Sequence, residues 1–138
     1  MNLVEISNNF CISYLACIRR IAAKLNLSLP QALCLNAIPF NGISQANLAK
    51  ILAIDISTLS RNLEKLRLLG LISKTSSNID KRSYKIGLTN QGEALYKQFN
   101  IFLIAELTPI YSEISLNDQD ILEETLNKLN WQIELLNK

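Results

Sequence analysis

Residues 57–66 read STLSRNLEKL. Leu59, Leu63 and Leu66 recur at the three-to-four spacing of one buried helix face, with Ile56 on the same stripe, while Ser57, Thr58, Arg61 and Lys65 gather on the other side. Asn62 falls at the edge of the polar face and Ser60 nearer its flank. Such a face is either ordinary solvated surface or a surface made for a polyanion. The flanking sequence decides between them.

Upstream, Ser44 caps a short helix through Leu52, and Asp55 caps the helix from Ile56 to Leu69, which ends at Gly70. The residues from Ala53 to Asp55 are all that separates the two, the outline of a helix-turn-helix. Downstream, the period changes. LISKTS alternates apolar and polar residues, SNID supplies turn formers, and RSYKIGL alternates again with Tyr84, Ile86 and Leu88 on one side, which predicts a hairpin, or wing, over about 76–83.

Further out, residues 3–25 place Phe10, Tyr14, Cys17, Ile18, Ile21 and Leu25 on one helical stripe. Ser28 with Gln31, and Pro30 in the first turn, start a second helix from Leu29 to about Ile38. Thr89 caps a helix from about Gln91 that Pro109 is expected to break or bend, and the Ser115 to Asp118 signal opens a last helix carrying Ile121, Leu122, Leu126, Leu129, Ile133 and Leu136. The predicted fold is mainly α with a small β-hairpin wing. A winged helix-turn-helix core over about 29–90 is flanked by helices over about 3–25 and 91–137, all in one domain of residues 1–138.

Charge follows the same division. Residues 55–85 hold seven cations against Asp55, Glu64 and Asp80, a net +4, whereas the remainder after them holds three lysines against eight acids, −5. A basic middle and an acidic end predict that the middle meets a polyanion. The hydroxyls near the start of the 56–69 helix and the long donors one and two turns later suit the DNA major groove. Ser57, Thr58 and Ser60 approach bases or phosphates, the positive helix end favours phosphate, Arg61 gives two hydrogen bonds to guanine, Asn62 pairs with adenine or touches backbone, and Lys65 extends the cationic face.

With 49% hydrophobic residues and a mean hydropathy of +0.15, a 138-residue chain carries more apolar surface than one small core hides, so a partner is expected to cover some of it. The absence of histidine excludes His-dependent triads and mixed Cys/His zinc sites, and Gly42, Gly70, Gly87 and Gly92 are isolated rather than grouped in a phosphate-cradling loop. No enzyme, metal or cofactor is expected. Three unpaired cysteines, Cys11, Cys17 and Cys34, fit a reducing compartment, and the lack of a membrane-spanning run or a leader-like start predicts a cytoplasmic location.

From Leu48 to Gly92 the sequence resembles the winged-helix core of the multiple-antibiotic-resistance regulator (MarR) family. The resemblance rests on LSRNL followed by GLI, then Asp80-Lys81-Arg82, then LTNQG, in order and at matching separations. It implies a homodimeric repressor or activator of transcription that binds double-stranded DNA. The first and last two helices would intertwine into the dimer, the 56–69 helix would enter the major groove, and the wing the minor groove. Arg82 matches the family's wing arginine, Asp80 the aspartate that orients it, and Lys81 beside them would meet phosphate. A two-fold pair of such units binds a pseudo-palindrome with half-sites about one helical turn apart.

FCISYLACIRR also resembles the first helix of the family's oxidant-sensing branches, with Cys11 as the matching thiol, although Leu29 stands where those sensors carry a tyrosine. Other members bind small aromatic anions, so an aromatic anion or an oxidant is the effector the resemblance implies. The alternative is a winged-helix module that pairs with another regulator without reading DNA.

Overall fold

The structure, a computed structural model, describes residues 1–76 and 83–137. In chain order the elements are α1 (Leu3–Lys24), α2 (Leu29–Ala37), β1 (Ile43–Ser44), α3 (Gln45–Leu52), α4 (Ile56–Leu68), β2 (Ile72–Ser76), β3 (Tyr84–Leu88), α5 (Asn90–Tyr111) and α6 (Leu116–Leu136). They form two compact units, Met1–Leu103 and Ile104–Lys138, with the boundary inside α5.

Local hydrogen bonding fixes where the helices begin. Ser28 Oγ accepts the Gln31 N–H at 3.3 Å while Gln31 Oε1 accepts the Ser28 N–H at 2.9 Å, closing a capping box with Pro30 in the first turn. Ser44, Asp55 and Ser115 likewise accept the N–H three residues on. A fifth N-terminus, that of α1, carries a box with no counterpart among the expected caps: Asn2 accepts the Glu5 N–H at 3.0 Å and Glu5 accepts that of Asn2 at 3.1 Å.

Helix ends are equally specified. The α3 to α4 turn places Ala53 in the left-handed region at φ 53°, with the Ile54 N–H on the Ala49 carbonyl at 3.1 Å. After α4, Gly70 takes φ 77°, its N–H bonds Arg67 at 2.9 Å and the Leu71 N–H bonds Leu66 at 3.0 Å, the paired pattern of a Schellman motif.

The wing strands belong to a three-stranded antiparallel sheet of order β1-β3-β2, not to a lone hairpin. Ile43 pairs with Ile86 and Ser44 with Lys85 on one edge, while β2 runs from Ile72 opposite Leu88 to Ser76 opposite Tyr84 on the other. Two residues are too short to show alternation, so β1 left no signal in the sequence. Within β3, Ile86 is fully buried and Leu88 half-buried, but Tyr84 is exposed beyond the core with Lys74 Nζ 4.2 Å from its ring centroid.

Thr89 joins the sheet to α5. Its hydroxyl donates to the Gly70 carbonyl at 2.6 Å and accepts the Gly92 N–H at 3.1 Å, and the Thr89 N–H bonds Leu71 at 3.1 Å. This brings the first turn of α5 so close to Leu71 that a Cβ on Gly92 would be driven into the Leu71 carbonyl. The LTNQG run therefore has a physical meaning of its own: the threonine ties two elements and the glycine lets them touch.

The core of the first unit gathers Ile21, Ala32, Leu35, Leu48, Leu59, Leu63, Leu66, Ile72, Ile86 and Phe99. Two expected members are outside it. Ile56 is 53% exposed because it lies in the first turn of α4, ahead of the point where the helix meets the core, and Phe10 is 52% exposed because only the C-terminal end of α1 reaches the core at Ile21 and Ala22. In the second unit, α5 runs through Pro109 to Tyr111 instead of breaking there, and Gln119 Nε2 donates to the Tyr111 and Ile114 carbonyls at 2.9 and 3.1 Å across the turn into α6. Among the described residues, no helix is long and apolar enough to cross a membrane.

Two stability measurements follow. Leu63→Ala, at a side chain 1% exposed, is expected to destabilise by about 2–5 kcal/mol in chemical denaturation. Gly92→Ala is expected to lose about 1–3 kcal/mol or more through overpacking. Gly87→Ala, whose new Cβ meets the Ser73 hydroxyl at 3.2 Å, should lose less; equal losses at the two glycines would contradict the close approach at Leu71.

Candidate nucleic-acid interface

Burial of three leucines decides what α4 shows to solvent. Leu59, Leu63 and Leu66 are at most 1% exposed, which turns Ser57, Arg61 and Lys65 outward. Thr58, Ser60 and Asn62 are half-buried on the flanks of that face. All six residues that the sequence nominated on this helix therefore lie on or beside one surface. Asp80, Lys81 and Arg82 lie outside the described residues.

The first turn of α4 holds an arrangement that sequence reasoning missed. Asp55 was read as a cap alone, yet its carboxylate takes three bonds: from the Ser57 hydroxyl at 2.6 Å, the Thr58 N–H at 2.8 Å and the Thr58 hydroxyl at 2.8 Å. Thr58 Oγ1 in turn accepts from Arg61 Nη2 at 3.3 Å. A chain of contacts thus runs from the carboxylate through a hydroxyl to the guanidinium one turn on. The signal was present in the order Asp55, Ser57, Thr58, an acid followed two and three residues later by hydroxyls.

These bonds hold the Asp55 carboxyl well below the usual carboxylate range, the Ser57 hydroxyl first and then the Thr58 N–H and hydroxyl favouring its charged form. The expectation that this helix end attracts phosphate changes accordingly. An ionised carboxylate already occupies the Thr58 N–H and sets a negative charge where the anion would sit.

Elsewhere on the face, Arg67 pairs with Glu64 in two bonds of 2.6 and 2.9 Å, and each stabilises the charge of the other: the Arg67 hydrogen bond lowers Glu64, and the Glu64 bond raises Arg67. Arg61 and Lys65 are the cations of the outward stripe. Of the thiols, Cys11 is exposed on α1, Cys17 is half-buried and accepts from Arg20 Nη2 at 3.1 Å, and burial pushes the Cys34 thiol up to about 11. The Arg20 contact was not foreseen, although the two residues stand three apart on one helix.

Because Asp55 has its proton affinity depressed by folding, its contribution is complete above the ordinary value of 3.8 and is lost as pH falls below it. The difference in Tm between the natural protein and Asp55→Ala should therefore narrow between pH 7 and pH 2. A constant difference would show that the carboxylate bonds do not matter to folding.

Comparison with known proteins agrees with the architecture. A family model described as MarR family matches residues 25–83. Wild-type MarR from E. coli in its apo form superposes with a TM-score of 0.82 at 21% identity, covering 94% of this chain and 96% of that one. The S. aureus MepR–DNA complex gives 0.75 at 20% identity over 96% and 98% of the two chains. A MarR-family transcriptional regulator from Listeria monocytogenes complexed with 26mer DNA gives 0.80 at 24% identity over 96% and 89%. The chain thus matches the MarR-family model through residues 25–83 and shares the winged-helix fold of those structures along nearly its whole length.

Proposed function

We propose that the chain is a sequence-specific DNA-binding regulator of transcription, a repressor that acts as a homodimer in the cytoplasm and has no enzymatic activity. The observation that carries this reading is the outward face of α4, where Arg61 and Lys65 stand over a seam of buried leucines in the second helix of a helix-turn-helix. In this reading α4 lies in the major groove, Arg61 contacts guanine, and Ser57, Thr58, Ser60, Asn62 and Lys65 contact bases or backbone around it. In the same reading Lys81 would meet phosphate and Arg82, oriented by Asp80 as the resemblance implies, would reach the minor groove. Two of the similar proteins are bound to DNA, which supports the same use of the fold here.

The dimer rests on uncovered apolar surface. On α1, Leu3, Val4, Ile6 and Phe10 are exposed, and on α6 so are Leu126, Leu129, Ile133 and Leu136, more large hydrophobics than a solitary small protein leaves wet. A two-fold pair would bind a pseudo-palindromic operator. For an effector we propose a small aromatic anion or an oxidant, and Cys11 is the thiol an oxidant meets first because it is exposed.

Arg61→Ala is expected to weaken binding to the operator by about 1–3 kcal/mol while leaving random duplex nearly unaffected, and Lys81→Ala to weaken both alike and reduce the salt slope by about one. Titrations on DNA upstream of the protein's own gene measure both. An equal loss on operator and random duplex for Arg61→Ala would contradict base reading. A protein that shifts no DNA at low salt yet co-elutes with another regulator would favour an interaction module instead. Sedimentation should give a dimer, and Leu129→Glu together with Ile133→Glu should give monomers that no longer hold the operator.

A further inference from the structure

Resting on that reading, we propose that the first turn of α4 is a hydrogen-bond acceptor patch that recognises the exocyclic amino group of a cytosine or adenine in the major groove, with Ser57 as the reading residue and Asp55 setting its polarity.

The chemistry follows from hydrogen bookkeeping. An ionised carboxylate has no hydrogen to give, so the Ser57 and Thr58 hydroxyls, at 2.6 and 2.8 Å from Asp55, must both be donors to it. Each hydroxyl owns one hydrogen and two lone pairs. With the hydrogen turned inward, only lone pairs remain to face a ligand. Bonds to a charged acceptor are roughly twice as strong as neutral ones, so DNA does not readily reverse the two hydroxyls.

Thr58 spends a lone pair on Arg61 Nη2, which leaves the exposed Ser57 oxygen as the outward acceptor. Phosphate oxygens, guanine O6 and N7, and thymine O4 are themselves acceptors and do not fit such a patch. The donors in the major groove are cytosine N4 and adenine N6. Four residues on, roughly 6 Å along the axis, Arg61 presents donors, so the complementary surface is an amino group beside the O6/N7 edge of a guanine.

The test is selection of duplexes from a random-sequence library by the full-length protein, followed by titration of the selected duplex and its single-base variants. Three proteins are compared: the natural chain, Ser57→Ala and Asp55→Asn. Alanine is a good helix former at an exposed position, and asparagine caps a helix as well as aspartate, so both variants keep the fold. We expect a position in each half-site fixed as cytosine or adenine, where guanine or thymine lowers affinity about tenfold. In Ser57→Ala that penalty should fall below about twofold while the other positions keep theirs.

In Asp55→Asn, Oδ1 still accepts from the Ser57 hydroxyl but carries no charge and so holds its hydrogen less firmly, so the penalty should shrink in part, and affinity for random duplex should rise as the negative charge is removed. If Ser57→Ala leaves every cytosine or adenine penalty intact, this inference is overturned and DNA recognition by Arg61 still stands. If the natural protein enriches no sequence at all, the regulator reading fails and this inference fails with it.

Discussion

Everything that α4 presents depends on which side of it is buried. Each of Leu59, Leu63 and Leu66 gains about 1.5–3 kcal/mol on leaving water. Rotating the helix by a third of a turn would give up that seam and draw Arg61 or Lys65 toward an apolar interior, at a penalty of several kcal/mol for an unpaired charge. These two effects act in the same direction. The helix has one stable orientation, and in it the hydroxyls and the guanidinium face outward.

On that fixed platform, short-range bonds set the chemistry. Asp55 begins as the cap that the helix needs and becomes, through Ser57 and Thr58, the group that decides which of their atoms face outward. The same residue weakens the attraction of the helix end for phosphate, so on the proposed reading affinity comes from cations placed elsewhere. Arg67 contributes little to that supply, since Glu64 already engages it. Pairing Arg67 with Glu64 leaves the net charge of +4 unchanged, and on the proposed reading that excess is used through Arg61, Lys65 and the wing cations.

The sequence disclosed those features that act over a few residues. Ser28, Ser44, Asp55 and Ser115 could be named as caps because a cap and its N–H lie three apart in the chain, and the α4 seam because its period is local. What stayed hidden depends on distant neighbours. The strand Ile43–Ser44 exists because β3 offers it partners more than forty positions away, and Ile56 is exposed because of where α4 first touches the core. Pro109 does not end its helix, which runs on to Tyr111; standing so near the C-terminus, the proline removes one N–H from the last turns without stopping them. Within the candidate site, the residues were legible as types on one helix face. Their hydrogen-bond polarity was not, since that required knowing that Asp55 reaches two hydroxyls at once.

The central claim is that Arg61, standing on α4, touches a guanine edge in duplex DNA. Guanine N7 methylation interference on a selected duplex tests it most directly, since a methyl at N7 blocks the atom that the guanidinium approaches. The account predicts one guanine per half-site whose methylation abolishes binding by the natural protein but makes no further difference to Arg61→Ala. Interference patterns that are identical for the two proteins would contradict it.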